Sequence, residues 1–204
     1  MRSVHPIESE SYRILNSRID LSELAPLSRA VTERVVHASA DLAYAEDLRC
    51  DEAALRQGQA ALRAGRPVIA DVAMVAAGIT RRDRFGELIC RVADPAAALL
   101  ARQTGSTRSA AAARLAFEQA GPGAVWVIGC APTALAELLE FPAEPALVIG
   151  LPVGFVGAAE SKAALRASGL PSVSNVSEKG GSAVAAAALN ALLYTEFADG
   201  GETS

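Results

Sequence analysis

Residues Ala124–Gly129 read AVWVIG, and Ala146–Gly150 read ALVIG. Neither run alternates apolar with polar residues, so a strand built from it has to be covered on both faces, as strands of parallel sheets are. Two shorter runs, Pro67–Asp71 (PVIAD) and Glu87–Val92 (ELICRV), have the same character. Helical stretches fall between them with recognisable starts: Asp94-Pro95 as N-cap and first-turn proline, Thr107 before RSAAAARLAFEQ, and Thr133 before ALAELLEF. An alanine-rich helix is expected from about Gly181 to Phe197. Strand and helix alternating over short connections predict an α/β fold with a doubly wound, mostly parallel sheet flanked by helices.

Upstream, the chain reads as a helical N-terminal region. Leu24, Leu27, Val31, Val35 and Val36 recur at helical spacing over Ser22–Ala40, and Asp51 is suited to cap EAALRQGQAALRA, with Gly65 ending it. A length of 204 residues suits one domain, expected over 1–198, with 199–204 a disordered tail.

Half of the residues are hydrophobic (51%) but only 4% are aromatic, so the apolar content is mostly Ala, Val and Leu, which favours helices on a sheet over a β-sandwich. A net charge of −4 argues against nucleic-acid binding, which needs a basic face. No run of apolar residues is long enough for a membrane span, and the start, MRSVHPIESESYR, has no apolar core of a secretory signal. A cytoplasmic protein is expected. Cys50, Cys90 and Cys130 form no CxxC pair and are expected to be small buried residues rather than a disulfide framework or metal site.

In a doubly wound sheet ligands sit beyond the carboxyl ends of the strands, which directs attention to the loops after Asp71, Val92, Gly129 and Gly150. The stretch Gly150–Gly157 (GLPVGFVG) has the spacing GxxxGxxG, neither a dinucleotide fingerprint nor a Walker loop, and reads as a tight turn that lines a pocket. Glu178-Lys179-Gly180-Gly181-Ser182 is either a flexible helix start or a backbone cradle for a carboxylate. Asp71 is either a site carboxylate or a cap for the helix that follows it. Histidine is scarce. His5 suits a solvated arm. His37 is either a satisfied core or helix-end histidine or, lying one helical turn after Arg34, half of a pair that both favour positive charge and make better sense facing an anion. No metal-ligand spacing is present.

Several motifs in order carry a resemblance: Arg34-Val35-Val36-His37-Ala38; ADVAMV from Ala70 with Gly78-Ile79-Thr80; Gly105-Ser106-Thr107-Arg108-Ser109-Ala110; GCAPTAL from Gly129; GLPVGFVGAAESK from Gly150 to Lys162; and Lys179-Gly180-Gly181-Ser182 with the following AAALNAL. Together they resemble the precorrin-8X methylmutase family, called cobalt-precorrin-8 methylmutase on the anaerobic route, from about Ile7 to Leu193. The resemblance implies a homodimeric isomerase of cobalamin biosynthesis. It moves a methyl group from position eleven to position twelve of the tetrapyrrole (precorrin) substrate, giving the corrinoid product hydrogenobyrinic acid, with no cofactor and no metal. It places the catalytic histidine at His37 and substrate contacts at Ser11 and Arg34, with Thr107 and Arg108 also assigned to substrate binding. Ala70, Ser106, Cys130 and Ser177-Glu178 depart from the residues common in the family and would alter the polarity of the pocket. The methyl shift develops little separated charge, and a histidine, with an unperturbed pKa near 6.5, can lend a proton to the conjugated ring and take it back. Two rivals are a nucleotide- or S-adenosylmethionine-using enzyme and a corrinoid carrier without turnover.

Overall fold

The computed structural model describes residues 5–195. In chain order the elements are α1 (Pro6–Asn16), α2 (Pro26–Ser39), α3 (Tyr44–Asp47), β1 (Leu48–Cys50), α4 (Glu52–Arg63), β2 (Val68–Ala70), α5 (Ala73–Gly78), β3 (Leu88–Ile89), α6 (Pro95–Thr104), α7 (Arg108–Ala120), β4 (Val125–Ile128), α8 (Pro132–Glu140), β5 (Leu147–Gly150), α9 (Ala158–Ala167), β6 (Ser172–Asn175) and α10 (Ser182–Tyr194), with a 3-10 turn at Arg82–Arg84. The strands form one sheet in the order β1-β6-β5-β4-β2-β3. All neighbours are parallel except β1, which runs antiparallel to β6.

Why the central strands read as unbroken apolar runs is visible in their packing. Val125, Val127, Leu147 and Ile149 point into a core built with α2, α4 and α10, while Trp126, Ile128 and Val148 point into a second core with α7, α8 and α9. Both faces are therefore dry, and period-two alternation has nothing polar to alternate with.

Asp51, Asp94 and Thr107 cap α4, α6 and α7 as expected, each accepting a backbone N–H from its helix's first turn. Elsewhere the expected boundaries move. α2 begins at Pro26, with Pro as its first residue, rather than at Ser22. α8 begins at Pro132 and has no capping side chain of its own, so Thr133 lies inside the helix. The loop that leads into it is held by Asp71, whose carboxylate accepts from the N–H groups of Gly129 (3.1 Å), Cys130 (2.8 Å) and Ala131 (2.8 Å). Asp71 thus ties the β4–α8 loop to the end of β2, and α5 after it has no capping side chain. Strands β1 and β6 were not expected: one is three residues long, and the other, SVSN, is polar in sequence although Ser174 and Asn175 are buried. The expected end of the last helix at Phe197 and the tail 199–204 lie outside the described residues.

The cysteines divide. Cys130 is exposed, contrary to expectation, and Cys50 and Cys90 are half-buried. Burial pushes the Cys50 thiol up to about 12, with the charge of Glu52 acting in the same sense and a bond to Thr32 acting against both.

Two stability predictions follow from this packing. A Cβ on Gly58 would overlap the Leu147 side chain, so Gly58→Ala should cost about 1–3 kcal/mol in urea unfolding. An unfolded Cys50 thiol ionises near 9.0 and the folded one near 12, so its contribution is intact below pH 9.0 and is lost as pH rises toward 12. Cys50→Ala should accordingly flatten the alkaline fall of stability measured by chemical denaturation.

Candidate active site

Helix α1 lies against α2, and the two present matching faces. Residues 8, 11 and 12 share one side of α1 by i, i+3, i+4 spacing, and residues 34 and 37 share one side of α2. Ser11 Oγ lies 3.0 Å from His37 Nδ1. The Tyr12 ring stacks on the imidazole, with centroids 4.7 Å apart and planes within 8°. Arg34 Nη1 donates to Glu8 (3.0 Å) and to the Tyr12 hydroxyl (3.1 Å), and its guanidinium lies 5.2 Å from the centre of the Tyr194 ring at the end of α10. Arg81 lies 5.8 Å from the centre of that ring, so the tyrosine sits close to two cations.

This arrangement unites three of the expected residues, Ser11, Arg34 and His37. Arg34 does not wait for an outside anion, because Glu8 already pairs with it. Burial opposes the guanidinium charge, but Tyr12 and Glu8 outweigh burial and raise its pKa. With Nδ1 engaged by a hydroxyl, among the described residues nothing bonds to His37 Nε2. A serine hydroxyl can either donate to Nδ1 or accept from it, so the imidazole can hold its proton on either nitrogen without losing its partner. A half-buried histidine held this way is able to give a proton and recover it.

Thr107 and Arg108 stand apart. Thr107 caps α7, and its hydroxyl lies 2.8 Å from that of Thr133 at the start of α8, while Arg108 is exposed on the first turn. Among the described residues no hydrogen bond, ion pair or ring contact joins either one to His37. His5 is not merely solvated: its Nδ1 accepts from Ile7 N and caps α1. In the Gly150–Gly157 loop two N–H groups are already taken, Leu151 donating to Ile128 O and Gly154 to Glu178 O, so they are not available to a phosphate. Among the described residues no three His, Cys, Asp or Glu side chains come together as metal ligands.

A family model described as precorrin-8X methylmutase matches residues 6–195. The cobalt-precorrin-8 methylmutase of Salmonella typhimurium is 41% identical over 196 residues, 92% of this chain and 93% of that one. The precorrin-8X methylmutase of a Sinorhizobium species is 40% identical over 200 residues, 94% of this chain and 95% of its own. The chain belongs to the precorrin-8X methylmutase family. Methylmutases are isomerases, and the fold agrees: the crystal structure titled as the precorrin-8X methylmutase of Thermus thermophilus superposes with a TM-score of 0.83 at 36% identity, covering 92% of this chain and 93% of that one. A second solved structure, titled as a precorrin-8X methylmutase related protein, gives 0.82 at 31% identity over 88% and 97%. The α1–α2 cluster lies wholly within the residues matched by the methylmutase model.

Glu8, Tyr12 and Tyr194 were not foreseen. Glu8 and Tyr12 emerge only from the pairing of α1 with α2, since α1 has just one buried residue, Leu15, and Tyr194 only from the packing of α10 on α2. Tyr12→Leu should move the His37 ring-proton resonances downfield through loss of the stacked ring, and Tyr12→Phe should leave them close to their original positions. Proton NMR can follow this directly because the chain has just two histidines, and the His5 signals should stay fixed.

Proposed function

We propose that this chain is a cofactor-free methylmutase that shifts a methyl group from position eleven to position twelve of the macrocycle of precorrin-8X, or of its cobalt-containing counterpart, to give the corrinoid product. The observation that carries this reading is the imidazole of His37, held by Ser11 and Tyr12, with Nε2 unengaged among the described residues. In this reading His37 lends a proton, or a strong hydrogen bond, to the conjugated ring system. That draws electron density from the migrating carbon's neighbourhood and lowers the barrier, and the proton returns after migration. Ser11 maintains the imidazole in either protonation state, and Arg34 faces a carboxylate arm of the substrate in exchange for part of its contact with Glu8. Because the chain is net negative, the acidic substrate has to be drawn in by such local cations rather than by long-range attraction.

The working unit in this proposal is a cytoplasmic homodimer, with the described residues forming one catalytic domain in each copy. Phe155 and Val156, on the loop after β5, are 96% and 88% exposed, and Met74, in α5 after β2, is 72% exposed, an apolar rim suited to a second copy or to the face of a flat macrocycle. Thr107 and Arg108, separate from His37 within one chain, would then meet the substrate's periphery. Among the described residues no helix is long and apolar enough to cross a membrane.

Purified protein incubated with precorrin-8X, and separately with the cobalt form, should convert one of them, as followed by visible absorption. His37→Ala should slow conversion by about 10²–10⁴-fold, the range for loss of a positioned proton donor, while retaining binding. Ser11→Ala should cost less, about tenfold, because it frees the ring without removing it. Tight, coloured complexes without isomerisation by the unaltered protein would instead mark a carrier, and sedimentation should give a dimer.

A further inference from the structure

Lys162 ends the GLPVGFVGAAESK stretch and is fully buried, at 0% exposure, in α9. Nothing in the chemistry above uses it. Its ammonium donates to Asn175 Oδ1 (2.8 Å) and to the carbonyls of Ser177 (2.6 Å) and Lys179 (2.6 Å), so three donors meet three acceptors. The same segment is gripped from its other side by the carboxylate of Asp47, at the end of α3. It accepts from Val176 N (3.0 Å), Ser177 N (2.9 Å), Ser177 Oγ (2.7 Å) and Asn175 Nδ2 (2.7 Å). Within this segment the N–H groups of Val176 and Ser177 are thus held by a half-buried anion, and the carbonyls of Ser177 and Lys179 by a buried cation. Among the described residues no carboxylate touches the ammonium, with Asn175 standing between it and Asp47.

Such a group is costly to bury. Burial pulls the Lys162 pKa down to about 8, with Arg166 adding to that and Asp47 and Glu178 opposing it. With all three of its donors on acceptors of one segment, the ammonium fixes the conformation of that segment. Here the conformation has an address. Glu178 O receives Gly154 N, fixing the loop after β5, and Gly181 N donates to Leu151 O where α10 begins. Lys179 then reaches Asp41 at 2.6 Å and lies near the Tyr44 ring, directly beyond the end of the helix that carries His37. A Cβ at Gly180 would run into the carbonyl oxygen of Leu151, so this path tolerates no side chain there.

We propose that Lys162 is a positioning residue for the methyl shift: it shapes residues 176–181 so that Lys179 is delivered to Asp41 and braces the end of α2 beside His37. The inference rests on the function proposed above. It concerns substrate placement rather than the proton, so its signature is a divided effect on the kinetic constants.

Lys162→Met, Lys179→Met and the double variant of the full chain, assayed on precorrin-8X, provide the test. Each single variant should raise KM about tenfold, the equivalent of one charged hydrogen bond, with kcat changed less than about twofold. The double variant should be little worse than Lys162→Met, since both act along one path. Hydrogen exchange should quicken at residues 176–181 in Lys162→Met and remain unchanged in the central strands. A merely structural lysine would quicken exchange throughout and reduce the amount of active protein without moving KM. An unchanged KM with opened loop amides, or fully additive single variants, would overturn the proposal. Should Lys162→Met fail to fold, Ser177→Ala loosens the same segment by one hydroxyl, and it should show a smaller rise in KM; no rise overturns the role. Unaltered protein that neither binds nor converts either precorrin form overturns the functional reading itself. Conversion by unaltered protein with unchanged constants in the variants removes only the part assigned to Lys162.

Discussion

Strands β4 and β5 send side chains into two separate dry cores, and nearly everything else in the molecule follows from that double burial. A sheet with no wet face can carry polar groups only where its strands end or where its covering helices meet. The buried polar residues of the sheet obey this. Asp71 sits at the end of β2 with its oxygens on the backbone of the loop after β4, and Ser174 and Asn175 lie at the end of β6, beside Arg166 and Lys162. The histidine cluster is the other permitted kind of place, the seam between two helices of the outer layer. The candidate site lies off the sheet because of the same packing that stabilises it.

Much of this was legible in the residues. Unbroken apolar runs announced β2, β4 and β5 because burial on both faces leaves no other pattern, and Asp51, Asp94 and Thr107 announced helix starts because a short acceptor beside free N–H groups has few other uses. What could not be read was every feature whose partner is distant in sequence. β6 is written SVSN because its polar side chains are satisfied by α9 and by Asp47, and nothing near it in the sequence says so. The start of α8 carries no capping side chain, and the loop before it is held by Asp71 from another strand, so the expectation was drawn to Thr133. Tyr12 and Glu8 became meaningful only once α1 was laid on α2. The resemblance to the methylmutases reached Ser11, Arg34 and His37 but carried no information about what holds them.

The partner of His37 bears on what its ring can do. A carboxylate at Nδ1 would fix one tautomer and favour the imidazolium, as it does where a histidine must stay oriented for a single direction of transfer. A hydroxyl imposes neither preference. Under the proposed role, in which His37 lends a proton and recovers it, an indifferent partner suits the ring in both states. Arg34 lies one turn away, its charge satisfied internally by Glu8 and Tyr12, so it is not left as an unpaired, half-buried cation between the helices.

Asp71 holds the loop that leads into α8 through N–H groups 58 to 60 positions away along the chain. That separation has a kinetic meaning. These N–H groups gain their acceptor only after β2 and β4 have come side by side. Ordering of the loop there reports strand pairing rather than preceding it, and the loop closure needed to bring the carboxylate across is a slow, non-local event. An order of assembly is written into a single side chain: the sheet must register before the approach to the helix beside it is fixed.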